Sequence, residues 1–155
     1  TSGLDVTMVS LDATSDALLN REQAEKIRAL GTPPAVLVAD MIGQRLDASE
    51  KALGKSEGKI VGAALRDPLA VCAVAHPEVL TDVWDTSCHV DLGRGMAYGE
   101  TVLGRNYRLV EDENRQPVDL PVNCHYARRA DAELFFSWLY GILENDLKKR
   151  EENRV

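Results

Sequence analysis

The chain has no excess of basic residues, no long apolar run and no paired-cysteine spacing, and each absence excludes a class of function. Its 155 residues carry 18 Lys and Arg against 25 Asp and Glu, a formal net charge of −7. A surface of that sign repels phosphate backbones and anionic lipid, so neither non-specific nucleic-acid binding nor electrostatic membrane attachment is expected. No apolar stretch approaches the roughly 20 residues needed to span a bilayer. No basic-then-apolar segment opens the chain as a signal peptide would. Three cysteines, Cys72, Cys88 and Cys124, are an odd number without a CxxC pair. A disulfide framework is not expected, and a reducing, cytoplasmic setting fits better. Such cysteines usually pack as small hydrophobes. Internal repeats and low-complexity linkers are absent too.

What remains is a soluble-globular composition, 45% hydrophobic and 28% charged, in a chain long enough for one domain with a real core. "VTMVSL" from Val6 to Leu11 is β-branched and apolar and reads as a strand, ended by the polar turn "DATSD". A helix follows, "NREQAEKIRALG", with Asn20 as cap, apolar positions Leu19, Ala24, Ile27 and Leu30, and Gly31 as stop. Thr32-Pro33-Pro34 starts another helix running to about Gly54, and "GKSEGK" is a polar loop. "PLAVCAVA" is apolar almost all round, so that helix is expected to be buried. The next part reads as short strands: "VLTDVW", "CHVDLG", an irregular "TVLGRNYRLV" and "LPVNCHYAR". "GRGMAYGE" forms a turn and "EDENRQPVD" a charged hairpin or loop among them. Asp131 caps a last helix with Leu134, Phe135, Trp138, Leu139, Ile142 and Leu143 on its apolar face.

The fold class is therefore mixed α/β. Too few strong strands precede the middle for a self-contained doubly wound domain, and the first strand has no partner near it in sequence. The chain reads as half of a sheet.

One stretch stands out: "GAALRDPLAVC", residues 62–72, in which Arg66 and Asp67 sit among small apolar residues. Asp67 has three readings. It can cap the helix that Pro68 opens. It can pair with Arg66, although adjacent residues seldom face each other on a helix. It can also ligate a hard cation such as Ca²⁺ or Mg²⁺, with other ligands coming from elsewhere. His76, His89 and His125 lie far apart without metal-ligand spacing and are taken as structural. "GRGMAYG" matches no phosphate-binding fingerprint.

Four segments in register resemble the inosine–uridine-type nucleoside hydrolases. "VTMVSLDAT" (6–14) resembles the family's "VTxVxLDVT", and "RDPLAV" (66–71) resembles its "HDPLAV". "VDLGRGMAYGETV" (90–102) resembles "V-x-G-x-x-x-RGxTV", with Tyr98 where that pattern has Arg. "DAELFFSWLYGIL" (131–143) resembles the C-terminal helix. The resemblance implies a Rossmann-like mixed-sheet domain of which residues 1–155 are the C-terminal half. It also implies hydrolysis of the N-glycosidic bond of a ribonucleoside, with bound Ca²⁺ holding the ribose hydroxyls and activating water. Asp67 then becomes a Ca²⁺ ligand.

Two departures follow from the same resemblance. Arg66 replaces a His thought to assist the leaving base. Arginine is a poor proton donor near neutral pH. It could instead hold an anionic leaving group or a carboxylate or phosphate on the substrate, or merely pair with a neighbouring acid. The Asp-rich "DTDxGxDDA" motif that supplies the general base is absent. A missing N-terminal half or a second chain is expected to complete the domain as partner, within a higher oligomer. Without it the first strand is an unsatisfied edge. Thr1 raises the idea of self-cleavage with Thr1 as nucleophile, against separate genes or simple trimming. Ser56 and Glu57 are candidates for contacts over the pocket, and Asp12 and Thr14 for shaping the turn after the first strand. A repurposed, non-catalytic subunit of this fold remains the alternative, as does action on an amide or another C–N bond.

Overall fold

The computed structural model describes residues 3–53, 62–104, 108–110, 117–119 and 121–152, with side chains for 3–51, 62–104 and 121–145. Strand β8 (Cys124–Ala130) organises the main sheet. It pairs in parallel with β1 (Thr7–Val9) on one side and antiparallel with β4 (Leu80–Val90) on the other. Strand β5 (Thr101–Gly104) closes a hairpin on β4, so the order is β1-β8-β4-β5 and the sheet is mixed. The parallel pair joins strands from opposite ends of the sequence, which is why β1 has no local partner. The other side of β1 carries no strand among the described residues.

Strand β4 corrects the reading of "VLTDVW" and "CHVDLG" as two strands: it is one strand of 11 residues. The polar Asp85-Thr86-Ser87 looked like a break, yet Thr86 and Ser87 are both 1% exposed. The Ser87 hydroxyl lies 2.7 Å from His89 Nε2, and Thr86 pairs with Cys124 across the ladder. Polar side chains that find partners can stay in a strand. The irregular "TVLGRNYRLV" is split between β5 and β6 (Arg108–Val110), and β6 pairs with β7 (Pro117–Asp119) as a separate ribbon.

Local chemistry sets the helix boundaries. The turn "DATSD" contains a short helix, α1 (Leu11–Thr14), capped by Ser10, whose hydroxyl accepts from the Ala13 N–H. Leu18 and Leu19 are not part of the next helix. They form β2, paired with β3 (Ala63–Ala64). Helix α2 (Arg21–Ala29) starts with the Asn20–Gln23 capping box. It stops at Gly31, whose φ of +70° only glycine adopts freely. The Thr32 hydroxyl accepts from Ala35 N–H at the start of α3 (Pro33–Leu53). Asp131 caps α5 (Ala132–Glu152) by accepting from Leu134 N–H.

The core gathers these helices on β2, β3 and α4 (Arg66–Ala75). Phe135, Leu139 and Leu143 repeat every fourth residue of α5 and form its buried stripe, whereas Ile142 is exposed. Leu19, Ile27, Leu46 and Leu69 are almost wholly buried with them. Cys72 belongs to the same cluster, and burial pushes its thiol up, so it behaves as an inert apolar residue. The expectation that α4 is buried all round is overturned. It buries Leu69 and Cys72, but Val71 and Val74 are 60% and 85% exposed. None of the described elements covers that face.

Two predictions follow from the packing. Phe135→Ala removes the largest fully buried side chain and is expected to cost about 3–5 kcal/mol in chemical denaturation. His125 of β8 lies 2.5 Å from Asp85 of β4 through Nδ1 and 3.0 Å from Asp5 through Nε2. The hydrogen bond to Asp85, with the charge of both acids, holds the imidazole above its ordinary 6.5 despite desolvation. The folded state therefore binds the proton more tightly than the unfolded chain. The stabilisation is complete below about pH 6.5 and is lost as pH rises through the raised folded value. His125→Asn is expected to flatten that slope of unfolding midpoint against pH.

Candidate functional site

Helix α4 begins at Arg66, directly after β3. Its N-cap is Leu65, whose N–H donates to Ala17 O and whose carbonyl accepts from Leu69 N–H. Leu65 has no side-chain oxygen, and no side chain caps this end. The reading of Asp67 as the cap is thus incorrect. The helix starts two residues earlier than Pro68 suggested, so Asp67 lies within the first turn, where its charge complements the helix dipole. The pairing of Asp67 with Arg66 is not found either. Among the described residues neither side chain makes an ion pair, and both are exposed.

Arg66 and Asp67 line a groove of about 380 Å³ between α3 and the start of α4. Val38, Met41 and Ile42 of α3 line it, with Leu65 and Pro68 opposite. Arg45 of α3 lines it as well. It was not singled out from sequence because it occupies an ordinary polar position of an amphipathic helix. Its significance depends on α3 packing beside β3. The apolar setting of the Arg66–Asp67 pair is therefore a groove wall rather than a sealed core.

Asp67 is a hard oxygen donor with no cationic partner among the described residues, which suits one ligand position for a divalent metal. Among the described residues no three His, Cys, Asp or Glu side chains converge closely enough to hold an ion by themselves. Further donors would have to come from outside these residues. Thr1, Ser56 and Glu57 lie outside the described residues.

Asp12 and Thr14 do shape the turn after β1. Asp12 accepts from the Tyr126 hydroxyl at 3.0 Å, and the buried Thr14 donates to Leu11 O. Residues 8–12, with Thr101, Leu103 and Tyr126, line a second groove of about 410 Å³ at the carboxyl end of β1, the end at which open α/β sheets bind ligands. The three histidines are spread apart: His76 meets Glu78 and the edge of Trp138, His89 meets Ser87, and His125 meets Asp5 and Asp85. Among the described residues no helix is long and apolar enough to cross a membrane.

Comparison with known proteins gives these elements a family. A pyrimidine-specific ribonucleoside hydrolase, RihA, from Salmonella newport is 34% identical over 82 residues, which is 53% of this chain and 25% of that protein. Its Escherichia coli K12 counterpart is 33% identical over the same shares. The solved purine-preferring ribonucleoside hydrolase from Gardnerella vaginalis superposes with a TM-score of 0.71 at 27% identity, over 93% of this chain and 41% of that one. A plant nucleoside hydrolase at 19% identity has the same fold, with a TM-score of 0.73, and is covered over 42% of its length. The chain thus spans well under half of these relatives and corresponds to part of their domain. The family model for inosine-uridine preferring nucleoside hydrolases matches residues 1–137, and the chain belongs to that family.

Proposed function

We propose that this chain is the C-terminal part of an enzyme that hydrolyses the C–N bond between a ribose and its base. The observation that carries the reading is the placement of "RDPLAV". Asp67 and Arg66 stand at a groove on the first turn of α4 without an ion pair among the described residues, in a chain whose family consists of nucleoside hydrolases.

In this reading Asp67 supplies one carboxylate to a Ca²⁺ site. When bound, the ion engages the ribose hydroxyls and lowers the pKa of a water. The general base and the remaining ligands belong to an N-terminal half carrying the Asp-rich motif. Water forms a bond to the anomeric carbon, that carbon's bond to the base nitrogen breaks, and the electron pair leaves with the base. Positive charge grows on the ribose ring as the bond breaks, and carboxylates facing it stabilise that charge. Arg66 cannot readily give up its proton, so its contribution is charge. Its guanidinium balances an anionic leaving group, which then takes a proton from solvent.

The need for an N-terminal half is supported by what this chain leaves uncovered. Strand β1 has an open edge among the described residues, and a free edge invites another strand. Val71 and Val74 of α4, with Leu37 and Met41 of α3, present apolar surface that a packed neighbour would bury. The mixed sheet and the 41% coverage of the Gardnerella enzyme agree with one domain divided between two segments.

The test is base release from nucleosides and from their phosphate- or carboxylate-bearing counterparts by the protein expressed from its complete gene. Turnover is expected to stop on chelation and to return with Ca²⁺. Asp67→Asn is expected to lower kcat/KM about a hundredfold or more, since a metal contributes several kcal/mol at the transition state. Absence of turnover together with absence of Ca²⁺ binding would instead identify a non-catalytic member of the fold.

A further inference from the structure

The charges on α3 are divided between its two sides. Asp40, Asp47 and Glu50 are all taken up by α2: Arg28 holds Asp40 at 2.7 Å, and Arg21 holds Asp47 at 2.8 Å and Glu50 at 3.0 Å. Arg45, on the same helix, has no acidic partner among the described residues. It lines the groove that Arg66 lines from α4. Two arginines therefore line one groove without a salt bridge among the described residues, in a chain with seven more acids than bases. Acids are plentiful, so the lack of a partner for both is not a matter of supply. Asp67 is in the same groove but pairs with neither.

The rest of the groove is apolar. Val38, Met41, Ile42 and Leu65 form walls that suit a flat ring, and about 380 Å³ falls within the range of small-molecule sites. Planar guanidinium groups recognise phosphate and carboxylate through paired N–H donors, which a neutral hydroxyl cannot match.

We propose that Arg45 and Arg66 form an anion-binding subsite, and that the substrate is a ribosyl compound bearing a phosphate or carboxylate group rather than an uncharged nucleoside. The site rests on the glycosidic-bond reading above for the ribosyl part of the ligand. The anionic requirement rests on the two arginines alone. Arg45 is the specificity-determining residue that this adds.

Isothermal titration of the full-length protein with uridine, uridine 5′-monophosphate and orotidine separates the possibilities. The first is uncharged, the second carries phosphate on the ribose, and the third carries carboxylate on the base. One anionic ligand is expected to bind at least about tenfold more tightly than uridine, as charge-assisted contacts predict. Preference for the monophosphate assigns the subsite to phosphate, and preference for orotidine assigns it to the leaving group. Arg45→Gln and Arg66→Gln are each expected to weaken that ligand about tenfold or more, with Arg45→Lys retaining part of the affinity. Both positions are exposed, and an unchanged thermal midpoint would show that the variants fold. Equal binding of all three compounds, or a preference that survives Arg45→Gln, would overturn the proposal. The glycosidic-bond reading fails by a different sign, namely absence of base release from any of the three.

Discussion

Every layer of this structure depends on the two ladders of β8. Its parallel pairing with β1 ties Thr7, Met8 and Val9 to His125, Tyr126 and Ala127, across more than a hundred residues of sequence. Its antiparallel pairing with β4 runs from Thr86↔Cys124 back to Leu80↔Ala130, with irregular register at Asp82. Other contacts reinforce these seams. Ser10 donates to Ala127 O, Asp16 takes both Arg129 and the Ala130 N–H, and His125 joins Asp5 to Asp85. Polar links that close such long loops fix the turn after β1 relative to the sheet, and the Leu65 N–H, bonded to Ala17 O, ties the start of α4 to that turn. The site at α4 is therefore held by tertiary pairing rather than by its own local sequence.

The chemistry of the groove follows from that placement. No side chain caps this end and Asp67 pairs with nothing described, so the first turn of α4 keeps an available carboxylate beside Arg66. Both side chains are exposed. Here they border an apolar groove whose far wall, α3, adds a second guanidinium. Paired with the family match over residues 1–137, this supports a ribosyl-binding site in which Arg66 contributes charge where proton donation would otherwise be expected.

Much of this was legible in the sequence where local chemistry decides structure. The Asn20 cap, the Gly31 stop, the Thr32-Pro33 start and the Asp131 cap each mark a helix end as read, because capping is a short-range effect. The half-sheet and the family were legible through motifs in register. Features set by tertiary contact were not. Asp85-Thr86-Ser87 fell between two expected strands, and cross-strand pairing with β8 makes the stretch continuous. Val71 and Val74 resembled core, because hydrophobicity does not say which neighbour covers a face. Arg45 gave no signal at all, since its meaning lies in facing β3 and α4 while the acids of α3 face α2.

The central claim is that Asp67 belongs to a cation site completed by residues outside this chain segment. A crystal structure of the full-length protein grown with Ca²⁺ and ribose tests it most directly. The account predicts a cation within about 2.3–2.6 Å of an Asp67 carboxylate oxygen, with its remaining protein ligands drawn from the N-terminal half and the sugar hydroxyls bound against it. A cation absent from Asp67 while ribose binds elsewhere, or an Asp67 neutralised by a basic side chain of that half, would contradict it.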